Sequence, residues 1–194
     1  MTAGVREAIR RSAAVLERMA ADAEACATIA AIVDGSVAAL SRGGKLLFCG
    51  NGGSAADAQH WAGELVSRFM YDRPGLAAIA LTTDSSILTA IGNDYGYDYS
   101  FARQVEALGA PGDVLFAIST SGGSRNVLAA LRAARAKGML TMGFTGEGGG
   151  AMPALCDHCL RAPSGITPLI QEAHEVAGHT ICAMIEQRMF PRGA

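Results

Sequence analysis

Residues 45–69 read KLLFCGNGGSAADAQHWAGELVSRF, and a change of grammar inside that stretch decides the fold. Lys45–Cys49 is a short, near-continuous apolar run, Gly50–Ser54 is a glycine-rich turn ending in a hydroxyl, and Ala55–Phe69 carries a helical pattern. An apolar run without alternation is what a strand covered on both faces looks like. Strand, loop and helix in that order predict a βαβ unit, and such units build parallel sheets wrapped by helices.

The same grammar recurs outward from this stretch. Short apolar runs stand at 77–81, 114–118 and 140–144, with HisCysLeuArgAla (158–162) as a fifth candidate. Most are separated by segments long enough for helices. The expected architecture is α/β, a parallel five-stranded sheet flanked by helices in a flavodoxin-like three-layer arrangement. Before it, residues 3–41 space Val5, Ile9, Val15, Leu16 and Met19, then Ile29, Ile32, Val33, Val37 and Leu40, at roughly 3.6 residues. Two helices are predicted there, broken near Asp22–Ala25 and stopped at Arg42-Gly43-Gly44. After the strands, a last helix over Leu169–Met189 mixes Ile170, Val176, Ile181, Met184 and Ile185 with Gln171, Glu172, His174, Glu175 and His179. So few plainly solvent-facing turns predict packing against another subunit. The chain is therefore divided into N-terminal helices (1–42) that serve oligomer packing and an α/β domain (43–194), together one structural unit.

Composition excludes whole classes. The chain has 194 residues, 50% of them apolar and 18% charged, enough to form a core without disulfides or a metal. Its 24 glycines exceed the ~14 that average usage gives. Nineteen lie between Gly43 and Gly150, with no collagen period and with apolar runs between them that a linker would lack. A net charge of −2 without a basic stripe excludes nucleic acid as the main partner. Five cysteines, an odd and low count, read as reduced thiols of a cytoplasmic protein. No signal-peptide core and no uncharged apolar run of ~18 residues is found, so no membrane partner is expected.

GlyGlySer occurs at 52–54 and again at 122–124, 70 residues apart, each time after a strand and before a helix. Ligands of open α/β sheets bind where strand C-termini meet helix N-termini, so both loops are expected at one crevice. SerThrSerGlyGlySer (119–124) supplies four hydroxyls and Ser54 a fifth; with bare backbone N–H groups at a helix start they suit a phosphate. Ser54 with Asp57 also fits a capping box. Neither loop matches a nucleotide P-loop or a dinucleotide fingerprint, which favours a phosphorylated small molecule.

His60 and Glu64 stand four apart on the helix opened by Ser54 and point the same way. They could share a divalent metal, flank a reacting carbon, or form an ordinary exposed pair. Gln171 and His179, two turns apart with Glu175 between them, are either satisfied structural polar groups or partners of His60 and Glu64 across the fold or a subunit boundary. Cys156 and Cys159 form a lone CxxC and read as buried thiols at the last strand. Asn93–Asp94 follows an apolar run and opens the TyrGlyTyr loop, as a turn or as a polyol contact.

Four segments, GNGGSAADAQHWAGELVSRF (50–69), IGNDYG (91–96), STSGGS (119–124) and IQEAHEVAGH (170–179), resemble the phosphoheptose isomerases of the sugar isomerase (SIS) domain family, in order and over nearly the whole chain. The resemblance implies a homotetramer that interconverts D-sedoheptulose 7-phosphate and D-glycero-D-manno-heptose 7-phosphate, feeding ADP-heptose and lipopolysaccharide or other surface glycans. It implies zinc on His60, Glu64, Gln171 and His179, with Glu64 and His179 catalytic. It implies substrate contacts from Asn51, Gly52, Gly53, Ser54, Glu64, Asn93, Asp94, Ser119, Thr120, Ser121, Ser124 and Gln171. A non-catalytic look-alike of the same fold, a replication-initiator-associating tetramer, resembles this chain but lacks the acid at 64 and the histidine at 179. Both are present here. Isomerisation of another phosphosugar is the remaining alternative, since loop hydroxyls grip phosphate without measuring chain length.

Overall fold

The computed structural model describes residues 1–192. Its strands are β1 (Leu46–Gly50), β2 (Ala78–Ala80), β3 (Val114–Ile118), β4 (Leu140–Gly146) and β5 (His158–Ala162). All pair in parallel, in the order β2-β1-β3-β4-β5. Phe48 lies opposite Ala80 on one side and Phe116 on the other, so the large inward side chains stack in rows across the sheet. The helices are α1 (Thr2–Ala21), α2 (Ala23–Ser41), α3 (Gly53–Val66), α4 (Ser85–Asp94), α5 (Ala102–Leu108), α6 (Arg125–Ala136) and α7 (Thr167–Met189).

The two faces of the sheet carry separate cores, as the alternation of side chains in a strand requires. Leu46, Phe48, Val114, Phe116, Met142 and Phe144 pack under α1, α2, α3 and α7. Leu47, Cys49, Leu115 and Ala117 pack under α5 and α6. This is the expected three-layer fold. The N-terminal helices put Val15, Met19, Ile32, Val33 and Leu40 into the first of these cores. Their break falls at Asp22, whose carboxylate accepts from the N–H groups of Glu24 and Ala25 and so starts α2. By length and a mean hydropathy of 1.5, α2 could cross a membrane. It carries Glu24 and Asp34, however, and buries Ile32, Val33, Ser36, Ala39 and Leu40 inside the protein.

Local chemistry moved several expected boundaries. Gly52, at φ +58°, is the N-cap of α3, which therefore opens at Gly53 rather than Ala55. Ser54 consequently sits inside the first turn, and the Ser54–Asp57 capping box does not form. Asp84 caps a helix that no strand-and-loop reading anticipated, and Asn93–Asp94 form its last turn rather than the start of a loop. Chain reversal waits for Gly96, at φ +88°.

The loop between α3 and β2 is pinned by a buried ion pair. Arg73 Nε lies 3.0 Å from Glu186 Oε1 of α7, with both side chains at most 2% exposed. Glu186 also accepts from the N–H groups of Phe69 and Met70, while Arg73 donates to the carbonyls of Glu64, Leu65 and Ser67. Burial opposes the Glu186 carboxylate, but those two N–H bonds and the guanidinium outweigh it and hold the carboxyl below its ordinary range. Removing one member strands the other charge, so Glu186→Ala is expected to cost about 3–5 kcal/mol in urea unfolding.

His174, fully buried on α7, has Nε2 3.0 Å from the Thr145 carbonyl and no partner for Nδ1. Burial pushes its pKa down to about 4, against roughly 6.5 in an unfolded chain. Below pH 6.5 the unfolded state takes up a proton that the fold refuses, so stability falls as pH drops through that window. The contribution between pH 7 and pH 5 is about 2 kcal/mol. His174→Leu is expected to lose that part of the slope when unfolding is compared at the two pH values.

Candidate active site

Strand order reverses between β1 and β3, so the loops leaving their C-terminal ends part and open a crevice. Those are the two GlyGlySer loops. An amide pair joins them: Asn51 Nδ2 donates to Asn126 Oδ1 and Asn126 Nδ2 donates to Asn51 Oδ1, both at 2.9 Å. Asn126 also donates to Ser100 Oγ and accepts from Val127 N; Tyr97 donates its hydroxyl to Asn51 Oδ1. The Asn51 side chain therefore fixes loop geometry in this structure.

In the second loop Ser119 Oγ lies 2.9 Å from Ser124 Oγ and 3.4 Å from Ser121 Oγ. Ser124 is the N-cap residue of α6, yet its hydroxyl makes no capping bond. Apart from Val127 N, which Asn126 holds, the N–H groups at the start of α6 thus receive no side-chain cap from the serine cluster, the arrangement that attracts an anion. Backing it is the segment Gly149–Gly150, where Ala151 N donates to Gly122 O. A Cβ on Gly122 would fall 1.9 Å from Gly149 O, so these glycines permit one backbone to lie on another.

A second cluster forms where α3 crosses α7. Trp61 packs on Gly178 so closely that a Cβ there would come within 2.0 Å of the indole. The crossing brings His60 Nε2 to 2.8 Å from His179 Nε2. Glu64 Oε1 lies 3.6 Å from His60 Nε2. His60, Glu64 and His179 form a possible metal-binding group, with ligand atoms all within 4.8 Å of one another. Two imidazoles and a carboxylate converging on one point fit zinc by donor type. Gln171, two turns back on α7, lies instead against the start of α3: a Cβ on Gly53 would meet its amide at 2.3 Å. Ser54 is buried and Gly52 exposed beside it. Asn93 donates to Asp94 at 2.8 Å, and both are exposed at the end of α4.

Some of the site was not singled out beforehand. Glu175 reaches both histidines, and Asn126 and Tyr97 hold Asn51. The one available signal was helical: Glu175 stands four residues from both Gln171 and His179. Asp57, read only as half of a cap, faces the cluster with a buried, unpartnered Oδ2. Burial, aided by Glu175 and opposed by His60, pushes its carboxyl up to about 6. Cys156 and Cys159 are free, half-buried thiols over Gly143, on the sheet face away from α3 and α7.

The SIS domain family model matches residues 9–146. A phosphoheptose isomerase of Burkholderia pseudomallei is 56% identical over 186 residues, covering 96% of this chain and 94% of the relative. This chain belongs to the phosphoheptose isomerase family. A family member from Aneurinibacillus thermoaerophilus is 51% identical over the same span of 186 residues, again 96% of this chain and 94% of the relative. The solved phosphoheptose isomerase of Neisseria gonorrhoeae superposes with a TM-score of 0.89 at 41% identity, covering 96% of this chain and 98% of that one.

Trp61 is the single tryptophan of this chain, so its fluorescence reports the α3–α7 crossing. Gly178→Ala forces the helices apart. It is expected to shift emission to the red and to cost about 1–3 kcal/mol; unchanged emission would show that the crossing tolerates the methyl.

Proposed function

We propose that this chain interconverts D-sedoheptulose 7-phosphate and D-glycero-D-manno-heptose 7-phosphate through an enediol. The convergence of His60, Glu64 and His179 beside the paired serine loops carries the reading. The curated relatives bearing the family name support the substrate.

The isomerisation moves a proton between C1 and C2 and needs a base at the carbons and an acid at the oxygens. Glu64 removes the proton from one carbon and returns it to the other. His179 gives and takes the proton on the substrate oxygens. Each role is worth ~10²–10⁴ in rate. The phosphate binds Ser54, Ser119, Thr120, Ser121 and Ser124 with the N-terminus of α6, so binding energy remote from the reacting carbons orients them. Asn51, Gly52, Gly53, Asn93, Asp94 and Gln171 contact the sugar chain. His60, Glu64 and His179 would hold zinc, a set to which the family resemblance adds Gln171. When bound, zinc supplies a Lewis acid for the carbonyl and hydroxyl oxygens.

The assembly we assign is a cytoplasmic homotetramer. Val5 and Ile9 on α1 and Val176 and Met184 on α7 are large apolar side chains exposed on the single chain, and residues 1–42 with α7 would cover them between subunits. The product is an aldose phosphate of the kind that heptose-activating steps of surface-glycan synthesis consume.

The test is incubation in heavy water with a panel of phosphosugars, sedoheptulose 7-phosphate among them. Deuterium at C2 of the seven-carbon product is expected, and Glu64→Gln should abolish it while leaving the folded oligomer. Binding without exchange would mean a non-catalytic SIS module. Faster exchange in another phosphosugar would reassign the substrate.

A further inference from the structure

The reaction as proposed makes no use of Cys156 and Cys159, three residues apart at the last strand. Positions three apart on a straight strand point to opposite faces of a sheet. Here the chain bends at Asp157, between the short 3-10 turn Pro153–Leu155 and the start of β5. Thr141 of β4 holds the bend: its N–H and its hydroxyl both donate to Asp157 Oδ2, at 2.8 and 2.7 Å, and its carbonyl accepts from Asp157 N at 2.9 Å. The bend brings both cysteine side chains to the sheet face that packs under α5 and α6.

Strand β4 makes room for them. Gly143 is the cross-strand partner of Cys159, and a Cβ on it would lie 2.6 Å from Cys156 Sγ and 2.9 Å from Cys159 Sγ. The two sulfurs thus share the space of one missing side chain. Met152 Cε, from a fully buried side chain, lies 3.4 Å from the same point. A glycine inside a strand costs about 0.5–1 kcal/mol relative to alanine, and the space it leaves here is filled by sulfur. Among the described residues the group of three metal-donor side chains within mutual reach is the one on α3 and α7, so the thiols face one another without a third donor. Cys159 lines a cleft of about 250 Å³ with Thr28, Glu147 and Arg161, a path for a small solute to its sulfur. A hydrogen bond from Cys156 holds the Cys159 thiol below its ordinary range against the pull of burial, with Thr145 and the Arg161 guanidinium assisting. The same bond, with burial, raises Cys156. The outer sulfur is therefore the nucleophile and the other its resolving partner.

We infer that Cys156 and Cys159, gathered over Gly143, are a redox-active dithiol, a site of reversible modification that a peroxide converts to an intramolecular disulfide. The Cys159 thiolate attacks one peroxide oxygen and the O–O bond breaks. Its sulfur becomes a sulfenic acid, and the other oxygen leaves as hydroxide, which takes up the proton that Cys159 gave up. Cys156 then attacks the oxidised sulfur: the S–S bond forms, the S–O bond breaks, and the hydroxyl leaves as water with the Cys156 proton. Two electrons pass from the sulfurs to the peroxide, and a thiol reductant reverses the change. In the cytoplasmic setting assigned above such a bond is transient. This chemistry goes beyond the isomerisation and does not depend on it.

The full chain, reduced and then freed of reductant, is exposed to hydrogen peroxide, and its remaining thiols are alkylated and mapped by mass spectrometry. The tryptic peptide 138–161 carries these two cysteines and no other. A disulfide within it is expected, formed about tenfold faster than the exposed lone thiol Cys26 is oxidised, and fully reversed by dithiothreitol. Cys156→Ser should stop at a sulfenic acid on Cys159, trapped by dimedone, and Cys159→Ser should leave Cys156 a thiol. Gly143→Ala, which fills the shared space, should slow the disulfide by about tenfold at unchanged circular dichroism. A wild-type chain that keeps both thiols under peroxide overturns the assignment. So does one whose Cys159 passes to sulfinic acid without a disulfide, or whose disulfide joins two chains.

Discussion

The contact of Trp61 with Gly178 governs the chemistry of this protein. A glycine on α7 lets the indole of α3 lie directly on helix backbone, and the two helices approach more closely than any side chain would allow. His60 and Glu64 stand on either side of Trp61 in the chain, and Glu175 and His179 on either side of Gly178. The packing contact and the polar cluster are thus one feature seen from its dry and wet sides. The ion pair of Arg73 with Glu186 reinforces it, because Arg73 also donates to the carbonyl of Glu64. Backbone at the end of α3 and the body of α7 are tied together a turn beyond the cluster.

Sheet topology supplies the second half of the site. Because β1 sits between β2 and β3, the connections leaving β1 and β3 diverge, and their loops border one crevice. The reciprocal Asn51–Asn126 amide pair sets the distance between them. A loop that binds phosphate through backbone and hydroxyls must be rigid before the ligand arrives, or ordering it would consume the binding energy. The Ser119–Ser124 contact inside the second loop, and Gly149–Gly150 after β4, laid against Gly122, provide that rigidity.

The inner strands β1, β3 and β4 were legible because they are buried on both faces and so are apolar without alternation; the edge strands β2 and β5 are partly exposed, yet 158–162, like 114–118, was read residue for residue. The break at Asp22 was legible because a capping aspartate between two apolar-periodic segments has a local cause. Helix α4 was not legible, since its only capping signal is Asp84 and its residues face no deep core. Gly52 misled in the other direction: its left-handed backbone, and not the Ser54 hydroxyl, starts α3.

Residue types and their local spacing determined the fold class, the two glycine–serine loops and the pairing of His60 with Glu64 on one helix face, because periodicity and turn chemistry act over a few residues. Whether those groups meet Gln171, Glu175 and His179 more than 100 positions later is a matter of helix crossing, to which local spacing is blind. Only the tertiary structure decided that Glu175 and His179 join His60 while Gln171 turns toward Gly53. The reason is steric: Gly178 is the place on α7 where Trp61 can seat, and seating it determines which turn of each helix faces the other.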